Sequence, residues 1–388
     1  MTKQIRIVAG ESIPYVKEAF GTLGTVRCVP GRKISSADVK DANILLVRSI
    51  TKVNETLLRG TPIEFVGSAS AGVDHIDAAY LKTQGISSAS APGSNANSVA
   101  EYVMASLLTI AQQQGSSLSG KTIGLVGHGH IGKLVKKKAE ALGMHPVLND
   151  PPLADAGQIN QSTLKETLGC DVVTLHIPLN TDGLYPTYHL LNEQSFTNLK
   201  PSTIFINAAR GEVVHTRALL NAIQKKRIGP VVLDVWEHEP NINWDLFNAV
   251  TIGTPHIAGH SLDGKANGTN MIYEALCKHL GVEPIWDPAQ SLPPSTVPSI
   301  RIDTHKTSDE EAAGEIVGRI YDLEADHRRM KELLNAPLEK RPTLFDDLRQ
   351  NYPVRREFGR TSVSVPQNRR SLSQMLDGLG FSGISLET

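Results

Sequence analysis

Three side chains with complementary acid–base chemistry follow three separate apolar runs of the sequence. Arg210 ends INAAR, Glu239 ends DVWEHE, and His256 lies in TPHIAGH. Short apolar runs of this kind are typical of parallel strands, and open α/β sheets bind ligands at the carboxyl ends of their strands. A histidine there can remove a hydroxyl proton, a carboxylate can orient the imidazolium, and an arginine can pair with a carboxylate and polarise a forming carbonyl. The set predicts hydride transfer from a hydroxy acid, although each residue alone could be a surface group.

A glycine-rich loop upstream of these residues predicts a dinucleotide cofactor. Gly127, Gly129 and Gly132 follow the strand-like TIGLV and lead into the helix-like HIGKLVKKKAEALG. Glycines allow a tight turn and a close approach of the backbone to a pyrophosphate, which then lies at a helix N-terminus. Asp150 ends the next apolar run. An acid at this position accepts hydrogen bonds from ribose hydroxyls and repels a 2′-phosphate, so the predicted cofactor is NAD.

Two histidines, His128 and His130, lie between the glycines. An HxH pair suggests a metal ligand, but no third ligand stands at a suitable spacing, so we predict no metal site. We expect His128 to be solvated. We expect His130 to face the pyrophosphate, where a protonated imidazole would add a charge-assisted hydrogen bond.

The elements that would position these groups alternate between short apolar runs and amphipathic stretches. The alternation occurs once before Pro92 and again over residues 119–260, and it is typical of doubly wound α/β sheets. Asn95 or Asn97 is a suitable N-cap for a long helix between the two series. Beyond Pro284 the chain becomes rich in Pro and Ser, as linkers often are.

Composition argues against several classes of protein. A formal net charge of −1 provides no basic field for nucleic acid or an anionic membrane. No apolar run is long enough to span a bilayer and no signal-like segment follows Met1, so we expect a cytoplasmic protein. Cys28, Cys170 and Cys277 are far apart and lack metal-ligand spacing, so we expect buried thiols.

Several motifs together resemble one enzyme family. GHGHIG, INAARG, DVWEHEP and TPHIAG resemble the NAD-dependent D-isomer-specific 2-hydroxyacid dehydrogenases, over residues 1–281. The segments VRSITKVNETLL, FVGSASAGVDHID, APGSNANSVAEYV and HIAGHSLDGKANGT look like one branch of that family, and FDDLRQNYPVRREF is similar to that branch's C-terminal dimerisation domain. The resemblance implies NAD-dependent oxidation of 4-phospho-D-erythronate at C2 to the 2-oxo acid, a step in pyridoxal phosphate biosynthesis. It also implies a homodimer, and Phe345, Tyr352 and Phe358 would otherwise be exposed apolar surface.

The resemblance further implies a fold of two doubly wound parallel-sheet domains with a smaller α+β domain at the C-terminus. A flavodoxin-like substrate domain would comprise residues 1–97 and 262–285. A Rossmann NAD-binding domain, residues 98–261, would be inserted into it, and residues 286–388 would form the dimerisation domain.

Site residues carry over from the same resemblance, which gives Arg210, Glu239 and His256 the catalytic roles already derived from their chemistry. Its cofactor contacts fall on Gly127, Gly129, His130, Ile131, Gly132, Asp150, Ile177, Asp234 and Gly259. Asp234 would face the nicotinamide carboxamide. Ile177, where the family often has Thr, would offer only a backbone contact.

Substrate contacts are also implied by the resemblance. They fall on Ser49 and Ser70, and the backbone N–H groups around Gly72 and Val73 would hold the carboxylate. His260 stands where the branch usually has Tyr, so it either contacts the substrate in a pH-dependent way or faces solvent.

Arginines are the candidates for the substrate phosphate. Arg48 lies beside Ser49, and a surface ion pair is the alternative role for it. Arg355 and Arg356 are weaker candidates, because a basic run is usually a solvated face.

Two other functions stay open. One is another D-2-hydroxyacid dehydrogenase, acting on phosphoglycerate, glyoxylate or hydroxypyruvate, and the C-terminal segment and SASAGVDH count against it. The other is a non-enzymatic NAD-sensing scaffold on the same fold. The complementary set of Arg210, Glu239 and His256 counts against the scaffold, because a binding module needs no base held by a carboxylate.

Overall fold

The computed structural model describes residues 5–302 and 307–387. Residues 1–4, on which the expectation of a start without a signal segment partly depends, lie outside the described residues. The described chain divides into two compact units. Unit 1 comprises the described residues of Met1–Asn95 and His260–Pro293, and unit 2 those of Ala96–Gly259 and Pro294–Thr388.

The first segment of unit 1 is a parallel five-stranded sheet. Its strands are β1 (Arg6–Gly10), β2 (Thr25–Val29), β3 (Ile44–Val47), β4 (Phe65–Ser68) and β5 (Ser87–Ser90), and its helices are α1 (Val16–Phe20), α2 (Ser36–Val39), α3 (Glu55–Leu58) and α4 (Ala78–Thr83). The strand order is β2-β1-β3-β4-β5, which is the flavodoxin-like order predicted for this part of the chain. Strands β3 and β4 are buried at every residue, as expected where both faces of a parallel sheet are covered.

The first segment of unit 2 is a parallel six-stranded sheet. Its strands are β6 (Thr122–Val126), β7 (His145–Asn149), β8 (Val172–Leu175), β9 (Ile204–Asn207), β10 (Val231–Leu233) and β11 (Ile252–Gly253). Its helices are α5 (Ala96–Gln114), α6 (His130–Ala141), α7 (Pro151–Asp155), α8 (Leu164–Leu168), α9 (Glu193–Phe196), α10 (Thr216–Gln224) and α11 (Trp244–Ala249). The order β11-β10-β9-β8-β6-β7 reverses direction beside β6. The glycine-rich loop leaves the carboxyl end of β6, so it lies at the topological switch point where doubly wound sheets bind nucleotides.

The chain then returns to unit 1 through α12 (Leu262–Leu280). The Ser261 side chain caps this helix by accepting from the Gly264 N–H, and Gly281 ends it in the left-handed conformation. Ile272, Tyr273 and Leu276 are buried in the same apolar cluster as strand residues of the first sheet. The helix therefore completes the core of unit 1.

The C-terminal segment belongs to unit 2. It contains β12 (Ser299–Arg301), α13 (Asp309–Ile320), α14 (Leu323–Glu332), α15 (Arg341–Gln350), β13 (Ser362–Pro366), α16 (Arg370–Leu379) and β14 (Gly383–Glu387). The three strands form a parallel sheet in the order β12-β13-β14. Ile316 of α13 and Leu372 of α16 are buried in one apolar cluster with residues of α5 and α6. Its sheet is smaller than the other two, as predicted, but its strands are all parallel and are joined through helices, which is an α/β arrangement and not the predicted α+β one. Its standing as a separate domain remains a prediction.

Among the described residues, no helix is both long and apolar enough to cross a membrane. Cys28, Cys170 and Cys277 are free thiols, of which Cys170 and Cys277 are buried.

Candidate active site

His256 and Glu239 form a hydrogen-bonded pair in unit 2. The distance from His256 Nδ1 to Glu239 Oε2 is 2.7 Å, and Glu239 Oε1 accepts from the backbone N–H of Trp236 at 2.9 Å. Burial acts to raise the pKa of the Glu239 carboxyl, but the charge and hydrogen bond of His256 and the charge of Arg349 hold this pKa below its ordinary value. The pair leaves Nε2 of His256 as the nitrogen for proton transfer, on a side chain that is 34% exposed.

Asp234 holds the loop that carries His256. It is 1% exposed. Its Oδ1 accepts from Thr254 Oγ1 and from the Ile257 N–H, both at 2.7 Å, and its Oδ2 accepts from the Ala258 N–H at 2.9 Å. The backbone N–H of His256 donates to the Asp234 carbonyl at 2.7 Å. These bonds stabilise His256 in the left-handed conformation, φ 57°, which a non-glycine residue seldom adopts.

A buried hydroxyl extends this network to α5. The Tyr102 hydroxyl lies 2.8 Å from Thr254 Oγ1, and Trp236 Nε1 donates to the Thr254 carbonyl at 3.0 Å. The positioning roles of Asp234, Thr254 and Tyr102 were missed from the sequence. In the sequence, a Tyr or Thr within an apolar run cannot be distinguished from any other core residue, so its positioning role gives no signal. The expected contact of Asp234 with the nicotinamide stays a prediction.

Arg210 follows β9, the strand beside β10. Asn207 shapes its turn, since Asn207 Oδ1 accepts from the Ala209 N–H at 3.0 Å and Nδ2 donates to the Arg210 carbonyl at 2.9 Å. The next residue is Gly211, where a Cβ would lie 2.0 Å from the carbonyl carbon of Trp236, so only glycine fits this close approach. Strands β9, β10 and β11 are neighbours, and Arg210, Glu239 and His256 follow their carboxyl ends as predicted.

The glycine-rich loop has the shape that a pyrophosphate requires. Gly127 has φ 99°, and a Cβ there would lie 2.4 Å from the His176 carbonyl oxygen. A Cβ on Gly132 would lie 2.2 Å from the Gly127 carbonyl oxygen, whereas a Cβ on Gly129 would meet no atom within 4 Å. Two glycines thus allow close backbone packing and the third leaves open space at the start of α6, so the residues present fit a dinucleotide.

Asp150 and His128 meet at this loop. Asp150 Oδ2 accepts from the His128 backbone N–H at 2.7 Å, and Oδ1 accepts from the Leu153 N–H at 3.2 Å, which caps α7. The expectation that His128 is solvated was wrong, because its side chain lies under the loop with Nδ1 buried and without a hydrogen-bond partner among the described residues. Burial, followed by the charges of Lys133 and Lys136, lowers the pKa of His128.

The other predicted cofactor contacts lie around the same loop. His130 is exposed at the first residue of α6, and Ile131 is half-buried against the core. Ile177 is half-buried, with its Cγ2 2.8 Å from the point where a Gly127 Cβ would lie. Gly259 is half-buried. The described part of the chain contains no group of three His, Cys, Asp or Glu side chains that could hold a metal ion.

The substrate residues predicted in unit 1 follow the carboxyl ends of β3 and β4. The Ser49 N–H donates to Ser70 Oγ at 3.0 Å, so these two residues are neighbours. Arg48 Nη1 lies 3.5 Å from the Ser12 carbonyl oxygen, a long contact. Gly72 is half-buried and Val73 is 47% exposed. His260, which is half-buried, lies two residues before the start of α12.

Several expectations for the C-terminal run were wrong. Arg355 and Arg356 are buried, and Arg355 Nη1 is 2.9 Å from Glu101 Oε2, so they do not form a solvated basic face. Phe345 and Phe358 are also fully buried within unit 2. They are therefore not apolar surface that needs a partner subunit to cover it.

Comparison with known proteins shows which enzymes this chain is similar to. The family model described as "D-isomer specific 2-hydroxyacid dehydrogenase, NAD binding domain" matches residues 95–258, and a "Domain of unknown function (DUF3410)" matches residues 292–380. An erythronate-4-phosphate dehydrogenase of Proteus mirabilis strain HI4320 is 41% identical over 97% of this chain and 99% of its own length. That of Escherichia fergusonii is 43% identical over 98% and 99%.

Solved structures share the fold of most of the chain. D-lactate dehydrogenase from Aquifex aeolicus, complexed with NAD and lactic acid, superposes with a TM-score of 0.59 at 24% identity, covering 71% of this chain and 95% of that one. The strand-end set, the glycine-rich loop and relatives that match nearly the full length lead to one conclusion: the chain belongs to the erythronate-4-phosphate dehydrogenases, a branch of the D-isomer-specific 2-hydroxyacid dehydrogenases.

Proposed function

We propose that this chain oxidises 4-phospho-D-erythronate at C2 with NAD, giving (R)-3-hydroxy-2-oxo-4-phosphooxybutanoate in the biosynthesis of pyridoxal 5′-phosphate. The observation that carries the proposal is the 2.7 Å bond between His256 Nδ1 and Glu239 Oε2, which orients a base at the carboxyl edge of a nucleotide-binding sheet. Relatives named for this activity match nearly the whole chain.

His256 acts as the general base of the reaction. Its Nε2 takes the C2 hydroxyl proton while the C2–H bond breaks and the C2=O bond forms. NAD, when bound, supplies the acceptor for the hydride that leaves C2. Glu239 stays ionised and stabilises the imidazolium. Arg210 pairs with the substrate carboxylate and polarises the forming carbonyl.

The loop from Gly127 to Gly132 at the N-terminus of α6 would hold the cofactor. Each carboxylate oxygen of Asp150 accepts one hydrogen bond from a backbone N–H and has a further lone pair. These lone pairs would accept hydrogen bonds from the adenine-ribose hydroxyls. His130, Ile131, Ile177, Asp234 and Gly259 would complete the contacts with the cofactor.

The substrate is a small phosphorylated hydroxy acid. We assign its carboxylate to the backbone N–H groups around Gly72 and Val73, and further contacts to Ser49, Ser70 and His260. Arg48 is the candidate for its phosphate.

The proposal includes a cytoplasmic homodimer. Three free thiols suit a reducing compartment. Light scattering of the full chain, whose mass is 42.0 kDa, should give twice that mass.

The test is NADH formation, followed by absorbance, when 4-phospho-D-erythronate is added to the protein with NAD. Lactate, glycerate and 3-phosphoglycerate serve as competing 2-hydroxy acids. We expect the highest kcat/KM with 4-phospho-D-erythronate. A preference for another acid would overturn the proposed substrate, and no reduction of NAD with any of them would overturn the proposed enzymatic function.

A further inference from the structure

A guanidinium from the C-terminal segment lies beside the catalytic pair, and the proposed function leaves it without a role. Arg349 stands near the end of α15, and its Nη1 is 3.9 Å from Glu239 Oε2. The same carboxylate oxygen lies 2.7 Å from His256 Nδ1, so Arg349 contacts the pair at its carboxylate. The Arg349 side chain is only 20% exposed.

The packing of α15 brings Arg349 to this place. Phe345, one turn earlier on the helix, is fully buried in the apolar cluster that contains Trp236 and Phe247. At the start of the helix the Arg341 guanidinium lies 5.1 Å from the ring centroid of Trp244 and donates to two backbone carbonyls. All of these residues belong to unit 2, so the helix holds Arg349 in one position relative to Glu239.

The contact between Arg349 and Glu239 is electrostatic. A separation of 3.9 Å is within ion-pair range but beyond hydrogen-bond length. Arg349 Nε is buried and has no hydrogen-bond partner among the described residues. The mostly buried positive charge therefore acts on Glu239 through a poorly screened environment.

Several other charged or titratable groups lie near the Glu239–His256 pair, on its own loops and on α15. Asp234 lies behind the His256 loop, and Asp346 Oδ1 is 3.9 Å from Arg349 Nη1 on the same helix. Glu237, two residues before Glu239, is bonded to His189 at 2.6 Å. Among these groups, Arg349 is the guanidinium, and its position depends on the C-terminal segment.

We infer that Arg349 is a positioning residue that sets the proton affinity of the Glu239–His256 pair, and with it the lower edge of the pH range for oxidation. The inference rests on the proposed function, because it assumes His256 as the base. An imidazole must be neutral to accept the hydroxyl proton, and a carboxylate alone favours the protonated ring. A cation 3.9 Å from the same carboxylate oxygen opposes this effect, so its removal should strengthen the hold of the pair on a proton.

The first test is the pH dependence of kcat/KM for the oxidation in Arg349→Gln and Arg349→Lys. In Arg349→Gln the acid limb should move up by about one pH unit, a loss of about tenfold on that limb with the plateau retained. Arg349→Lys keeps the charge and should keep the limb of the parent. Asp346→Asn, which removes a negative charge beside Arg349, should move the limb the opposite way. Arg328→Gln on the neighbouring α14, where the side chain is 60% exposed, is the matched control and should change nothing.

The second test needs no substrate. NMR titration of the unliganded protein with isotope-labelled histidine would follow the His256 signal, assigned by its absence in His256→Ala. We expect a higher His256 pKa in Arg349→Gln than in the parent. An unchanged acid limb together with an unchanged titration would overturn the inference. So would a higher KM at every pH without a shift of the limb, because that result assigns Arg349 to substrate binding. Absence of any oxidation by the parent would contradict the proposed function instead, and the titration would still decide the role of Arg349.

Discussion

His256 is the residue at which chemistry can be separated from cofactor binding. Its Nδ1 is engaged by Glu239, and its loop is held through Asp234, so loss of the imidazole alone leaves the loop bonds in place. We expect His256→Ala to lower kcat/KM by ~10²–10⁴-fold, the usual contribution of a general base. The Kd for NAD, measured by fluorescence titration, should stay close to that of the parent. Collapse of NAD binding would instead make His256 a cofactor or structural residue.

Burial of His128 should make the stability of the protein depend on pH. Burial lowers its pKa from the usual 6.5, so the unfolded chain takes up a proton at a higher pH than the folded chain. The stability that depends on a neutral His128 is therefore fully present above pH 6.5 and is lost as the pH falls toward the lowered folded pKa. As the pH falls below 6.5, the free energy of unfolding measured with urea should decrease less for His128→Val than for the parent. His145→Gln, at an exposed site, is the control. Equal pH dependence of parent and His128→Val would contradict the prediction.

His130 tests the interpretation of the glycine-rich loop. It is exposed at the first residue of α6, where an imidazolium could donate to a phosphate oxygen. We expect His130→Ala to weaken NAD binding, and to do so more at acidic than at alkaline pH, because only the protonated ring carries the charge. Calorimetric titration with NAD across this range measures the effect. Unchanged affinity throughout would remove His130 from the site.

At the scale of elements, a buried ion pair joins the start of α5 to the segment before β13. Glu101 is fully buried, and its oxygens accept from Arg355 Nη1 at 2.9 Å and from the Phe358 N–H at 2.8 Å. Asn97 and Ser98 of the same helix donate to Glu357 at 2.7 Å. The Arg355 guanidinium also lies 4.2 Å from the ring centroid of Tyr321. This network attaches α5 to the C-terminal segment.

Glu101→Ala should therefore be strongly destabilising. It leaves the buried Arg355 without its carboxylate, and breaking a buried pair in this way typically costs about 3–5 kcal/mol. Urea unfolding monitored by circular dichroism measures the change. Glu55→Ala, which breaks the exposed pair with Arg59, is the matched control and should change the free energy of unfolding little. Equal effects of the two substitutions would show that the buried network contributes nothing specific.

At the scale of the whole molecule, the C-terminal segment is part of a core and not an appendage. Apolar side chains of α13 and α16 are buried in one cluster with those of α5 and α6. A chain that ends at Pro293 would expose the partner faces of α5 and α6. We expect this truncated chain to lose cooperative thermal unfolding in calorimetry, whereas the full chain should retain it. A truncated chain that unfolds cooperatively and binds NAD would contradict the shared core.

Local patterns in the sequence were sufficient to predict the two doubly wound sheets and to place the candidate site residues after their strands. Strand length, turn residues and the spacing of glycines depend on neighbours in the chain, so the sequence alone places the loop of Gly127, Gly129 and Gly132 at the end of a strand. Arg210, Glu239 and His256 were predicted in the same way, because a residue that follows a parallel strand must lie at the sheet's carboxyl edge.

Only the tertiary structure decided which polar groups are buried and what they contact. The run that contains Arg355 and Arg356 has the charged composition of an exposed segment, and His128 lies in a loop of a kind that is usually exposed to solvent. All three side chains are nevertheless buried. Asp234 was predicted as a cofactor contact and is seen to hold the His256 loop, while Arg349 reaches Glu239 from a distant helix. Burial and long-range ion pairs depend on which elements pack together. The sequence shows which face of an element is apolar, but it does not show which other element covers that face.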